Sequence, residues 1–103
     1  PDSDPQKPVL TKFASDFTAK YKTPPSTFAG HAYDAFKLAI DAFQKVGTDK
    51  AKVRDHLENV KGFVGVSGVF TMSPQDHSGL GKDALAIVKV EDGKWKLVDA
   101  NRG

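Results

Sequence analysis

The feature that most constrains this chain is the segment ALAIVKVEDGKWKLV near its end, where two apolar-alternating runs flank Asp92-Gly93. That dipeptide suits a two-residue type I′ turn, whose twist matches the strands it joins. The turn fixes the register: Val90 opposite Trp95 and Val88 opposite Leu97 on one side, Lys89 and Lys96 on the other. A terminal two-stranded hairpin is marginal in water by itself. Its Val, Val, Trp, Leu face therefore demands a partner, and the rest of the chain offers few strands to supply one.

Upstream, the pattern is helical. The opening PDSDPQKP holds three prolines and no apolar anchor before Val9, so an extended, poorly ordered arm is expected. From Leu10, the positions Leu10, Phe13, Ala14, Phe17 and Tyr21 recur at helical spacing and predict an amphipathic helix. Pro24 and Pro25 stop it near Tyr21 to Thr23. Ser26 or Thr27 caps a second helix with a wide apolar face of Ala32, Tyr33, Ala35, Phe36, Ala39, Ile40 and Phe43. Gly47 ends it, and Thr48 or Asp49 opens a short third helix carrying Val53, Leu57 and Val60.

At Gly62 the chain changes to FVGVSGVFTM, β-branched, aromatic and interrupted by glycine, which predicts one strand or two short ones. SPQDHSGLGKD is polar and turn-forming, a connection between elements. Wide apolar helix faces with too few strands to cover them predict part of a larger α/β architecture.

The chain has 103 residues, 15 basic and 13 acidic, with its lysines scattered among acids. Nucleic acid is not a partner that such a distribution suits. No apolar run approaches the roughly 20 residues of a membrane span. There is no basic-then-apolar leader, as holds equally for a mature protein and an internal piece. The absence of cysteine removes disulfides and thiolate chemistry but fixes no compartment. His31, His56 and His77 are too far apart in sequence to form a compact ligand set, so no metal is expected. Asp76, His77 and Asp83 share a loop, but at no calcium-loop spacing and with no nucleophile beside the histidine. Without an acid/base pair, phosphate loop or activated nucleophile, the chain does not read as an enzyme, and it calls for no cofactor.

Two passages carry a resemblance. FASDFTAKYKTPPSTFAGHAYDAFKLAIDAF has spaced aromatics, a proline turn and an alanine-rich helix with the pair Tyr33-Asp34. VRDHLENVKGFVGVSGVFTMSPQDHSGLGKDALAIVKVEDGKWKLV runs through a short helix, a glycine-bearing strand, a polar crossing and a hairpin. From Leu10 to Val98 the order resembles the C-terminal part of type I periplasmic solute-binding proteins, the leucine/isoleucine/valine-type receptors of ABC importers.

That resemblance implies a partial α/β fold of two lobes that close on a small ligand. Residues 1–72 would belong to the first lobe, 73–83 to a hinge crossing, and 84–103 to a second-lobe hairpin and tail. It further implies export to the periplasm or cell surface, an ABC permease as partner, and an amino acid, an amide or an aromatic acid as ligand. The wording DHSGL resembles receptors for aromatic carboxylates.

Phe28 matches the family's aromatic position at the mouth of the cleft; the plain alternative is a hydrophobic staple at the helix start. Ala29 and His31 lie near it as further ligand candidates. Tyr33 reads as core packing, and Asp34 as a surface or hinge-side polar group. Asp76, His77, Gly79 and Gly81 are the hinge candidates, the glycines for backbone rotation and the other two for bonds across the crossing; an ordinary solvated loop is the alternative. A ligand sensor with the same lobes, or a self-associating interaction module, would share these features.

Overall fold

A computed structural model describes residues 2–99. Three helices come first: α1 (Gln6–Tyr21), α2 (Thr27–Val46) and α3 (Lys50–Glu58). Two antiparallel pairs follow, β1 (Phe63–Val64) with β2 (Val69–Phe70), and β3 (Ile87–Glu91) with β4 (Lys94–Asp99). A single 3-10 turn at Lys82–Ala84 breaks the connection between the pairs. Among the described residues no helix is long and apolar enough to cross a membrane.

The expected extended arm is instead helix from Gln6 onward. Pro5 sits at the N-cap with φ −62° and ψ −21°, and Pro8 falls in the first turn, where a missing N–H leaves no intrahelical bond unmade. The Asp4 carboxylate accepts from the Gln6 amide at 2.9 Å. Helix α1 ends where the prolines require, with Lys22 left-handed at φ 59° and its N–H on the Thr18 carbonyl. Ser26 caps α2 and Asp49 caps α3, each accepting an amide from the first turn. Val60, expected inside α3, lies two residues beyond its end but is buried.

The predicted apolar face of α2 is not the face this chain buries. Gly30, Asp34, Leu38 and Ala42 are buried, at every fourth position. Tyr33, Phe36, Ile40 and Phe43 stay 36 to 69% exposed. Tyr33, expected in the core, lies against Phe13 of α1 at 4.8 Å between ring centroids, with its outer side in solvent. The reason is steric. The β1–β2 loop approaches α2 along its smallest side chains, and a Cβ at Gly30 would already lie 3.0 Å from Val66.

The apolar core is small: Leu38 from α2, Val60 and Phe70, with Leu57, Phe63, Met72 and Leu80 packed around them. Helix α3 is tied to α2 by polar contacts as well. Asp41 receives the His56 ring at 2.9 Å and Lys45 at 3.0 Å. These partners, the histidine first, hold its carboxyl below the ordinary value of 3.8.

The terminal hairpin has the register read from its turn, with Val88 opposite Leu97, Lys89 opposite Lys96 and Val90 opposite Trp95. Asp92 and Gly93 both have positive φ, 53° and 70°, as a type I′ turn requires. On the charged face Glu91 is flanked by Lys89 and Lys96, which lower its carboxyl from 4.5. On the apolar face Val88, Val90, Trp95 and Leu97 are all exposed, Trp95 by 78%. The expected tail beyond Asp99 lies outside the described residues.

Two outcomes follow. Both carboxyls titrate lower when folded, so their stabilisation is full above the unfolded values near 3.8 and 4.5 and is lost as pH falls through the folded ones. Urea midpoints attributable to these groups should match at pH 7 and pH 5.5 and drop below pH ~4; Asp41→Asn should flatten part of that acid drop. The single tryptophan should emit as a solvated indole and quench freely with acrylamide whenever the hairpin face is uncovered.

Candidate functional site

The most constrained part of the structure is the β1–β2 loop, Gly65 to Gly68. Its polar groups cannot all pair within a two-residue ladder, and only Gly65 N–H to Gly68 carbonyl, 2.8 Å, closes it internally. Two side chains from distant elements take four more. The Asp34 carboxylate, 1% exposed, accepts from the Val66 and Ser67 amides at 2.7 Å each. Gln6, 2% exposed, donates its side-chain amide to the Gly65 carbonyl at 3.0 Å and more weakly to that of Val66 at 3.4 Å.

Asp34 was expected as a surface or hinge-side group and is instead buried. Its carboxylate is stabilised by accepting backbone N–H groups, which offsets part of the cost of leaving water. Gly65 permits this approach, since a Cβ there would lie 2.8 Å from the Asp34 carboxyl carbon.

The clamp sets the direction of one more group. Ser67 Oγ lies 2.8 Å from His31 Nδ1, so the helix and the loop share a polar pair. Both residues line an open groove of about 910 Å³. Its walls come from α1 (Leu10, Phe13), the start of α2 (Ser26, Thr27, His31), the loop, and Leu80, Gly81, Lys82, Ala84 and Leu85.

The sequence candidates separate here. His31 lies on the groove. Phe28 is 85% exposed and does not line it; so exposed a ring is not packed as a staple. Ala29 is partly buried and gives its amide to the Ser26 cap at 3.3 Å. Ser67 was not singled out in the sequence.

The connecting loop is shaped by its own side chains. Asp76 accepts from the amides of Ser78 and Gly79 at 2.9 and 3.2 Å, while Ser73 Oγ accepts from Asp76 N–H at 3.0 Å. His77 reaches Glu58 of α3 at 3.1 Å. Gly79 has φ +71°, and a Cβ would meet Met72 at 2.9 Å. Gly81, by contrast, has an ordinary φ of −95°. Among the described residues no three His, Asp or Glu side chains gather as a metal site would require.

This arrangement of helices, clamped loop, connecting loop and hairpin coincides with a known family. Residues 1–94 match the periplasmic binding protein family. The chain belongs to it. No curated protein matches the sequence, but solved structures do.

An extracellular ligand-binding receptor from Rhodopseudomonas palustris HaA2 is 26% identical with a TM-score of 0.81. A protein of R. palustris strain CGA009 is 28% identical with a TM-score of 0.79. In both cases 96% of this chain and 30% of the other is covered. A leucine binding protein from Thermotoga maritima, 23% identical with a TM-score of 0.69, shares the fold over 88% of this chain and 25% of its own. The binding-protein segment thus spans about three-tenths of the length of the R. palustris structures it matches.

Asp34→Ala should strand two buried amides and cost about 2–4 kcal/mol in urea unfolding, with Asp34→Asn between it and wild type. Gly79→Ala should also destabilise, by roughly 1–3 kcal/mol, because both its φ and its contact with Met72 forbid a side chain. Gly81→Ala should stay within about 1 kcal/mol of wild type.

Proposed function

We propose that this chain is the C-terminal part of the extracytoplasmic solute-binding component of an ABC importer, which holds an amino acid or a related small carboxylate between two lobes. Residues 1–72 contribute to the first lobe, 73–83 form a hinge crossing with Asp76, His77, Gly79 and Gly81, and 84–103 join the second lobe. Phe28, Ala29 and His31 face the ligand, and a permease reads the closed form. The protein is exported to the periplasm or cell surface, and no covalent chemistry is involved.

The observation that carries the reading is the hairpin. Its register and turn are fully formed, yet its whole apolar face is bare. The segment also superposes on three-tenths of a much longer receptor. A missing second lobe accounts for both. The likeness to extracellular ligand-binding receptors of R. palustris HaA2 supports solute capture, while the leucine binding protein supports the fold and leaves the ligand open.

The same bare face favours one other reading, a module that pairs with a second copy of itself. Sedimentation of the 103-residue chain distinguishes the two. A dimer whose Trp95 is shielded from acrylamide supports the module; a monomer with accessible Trp95 supports the receptor.

The direct test is calorimetric titration of the complete receptor, upstream lobes included, with leucine, leucinamide, benzoate and benzamide. Saturable binding of one of them is the expected result, and the absence of any binding would overturn the choice of ligand class. Phe28→Ala in that receptor should weaken binding roughly tenfold. Its thermal midpoint should not move, because an exposed ring contributes little to the fold.

A further inference from the structure

The groove beside α2 has an uneven chemistry. Among the described residues, its titratable lining residues are His31 and Lys82, its other polar residues are Gln6, Ser26, Thr27 and Ser67, and none is an aspartate or glutamate. The nearby Asp34 carboxylate is buried behind the loop with its oxygens on the Val66 and Ser67 amides. The Asp83 carboxylate comes close to Gly81 of the groove wall, so the choice between acid and amine is made at Ser67 and His31, where a carboxylate meets a hydroxyl and an imidazole.

Ser67 is the best placed of these. Its amide is held by Asp34, the carbonyls of Gly65 and Val66 just before it are held by Gln6, and its Oγ is paired with His31 Nδ1 at 2.8 Å. Which way that bond runs decides what Ser67 can offer. With a proton on His31 Nδ1, the ring donates to Oγ and the hydroxyl hydrogen is left to donate elsewhere; with the proton on Nε2 alone, the hydroxyl is spent on the ring. An anion at Ser67 favours the first arrangement.

We propose that Ser67 receives the carboxylate end of the solute by donating its hydroxyl hydrogen, that His31 is the positioning residue which frees that hydrogen, and that the site consequently prefers small carboxylates over their amides. This rests on the receptor reading above and adds the group that distinguishes acid from amide.

The test compares each acid with its own amide, leucine with leucinamide and benzoate with benzamide, by calorimetry on the complete receptor. Wild type should favour the acid. Ser67→Ala and His31→Ala should each weaken the acid roughly tenfold to a hundredfold, the range for losing a hydrogen bond to a charged group, and the amide less than about threefold. His31→Asn, whose side-chain N–H₂ can replace the Nδ1 donor, should restore most of the preference. The acid-to-amide ratio is independent of how much variant protein is folded.

An unchanged ratio in Ser67→Ala would overturn the proposal while leaving the receptor reading intact. Equal loss of acid and amide would do the same, since Ser67 would then shape the groove without reading charge. Failure of all four probes to bind wild type would remove the ligand assignment and this proposal together.

Discussion

Everything near the candidate site depends on a buried carboxylate held by backbone amides, with no cation bonded to it among the described residues. Asp34 sits on the inward line of α2, and two backbone amides of the β1–β2 loop converge on it. Burying an ionised carboxylate costs several kcal/mol unless hydrogen bonds replace its water, so the loop and the helix must fit closely. Gly30 and Gly65 allow the approach by having no side chains, and Gln6 fastens the other edge of the loop through its carbonyls. Removing any one of the four loosens the placement of Ser67, although two of them, Asp34 and Gly65, do not line the groove.

Local chemistry made much of the fold legible. The end of α1 before Pro24 and the Asp92-Gly93 register depend on residues within a few positions of each other and came out as read, and of the local cap alternatives the chain uses Ser26 and Asp49. The fold class and the family followed from the order of those elements. One failure was local, the opening prolines that start α1 rather than prevent it; those at the candidate site were non-local. Asp34 and Gln6 gave no signal because their partners lie 32 to 60 residues away. The inward line of α2 was missed because counting apolar residues favours Phe36 and Phe43 over Gly30 and Asp34. One clue was available: glycine and aspartate four apart on an otherwise apolar helix, followed by a glycine-rich segment able to approach them.

Two kinds of surface thus coexist. The helix α2 exposes aromatic residues that a larger architecture would cover, and the hairpin does so with a complete strand pair. Meanwhile the polar clamp and the Asp76 turn are satisfied wholly within the chain. The specific, directional interactions are therefore local to this segment, and the bulk of the non-directional hydrophobic gain is left for its surroundings.

The clamp also sets an order on folding. It joins Gln6, Asp34 and the 65–67 loop, so it closes only after three separated stretches of chain have met, whereas the hairpin pairs neighbours across two residues. Contacts that span long sequence distances form late and reopen only when the unit as a whole lets go. The amides of Val66 and Ser67 are consequently reporters of global opening, and the amides of β3 and β4 report local fraying, so the two ends of one short segment keep time on different clocks.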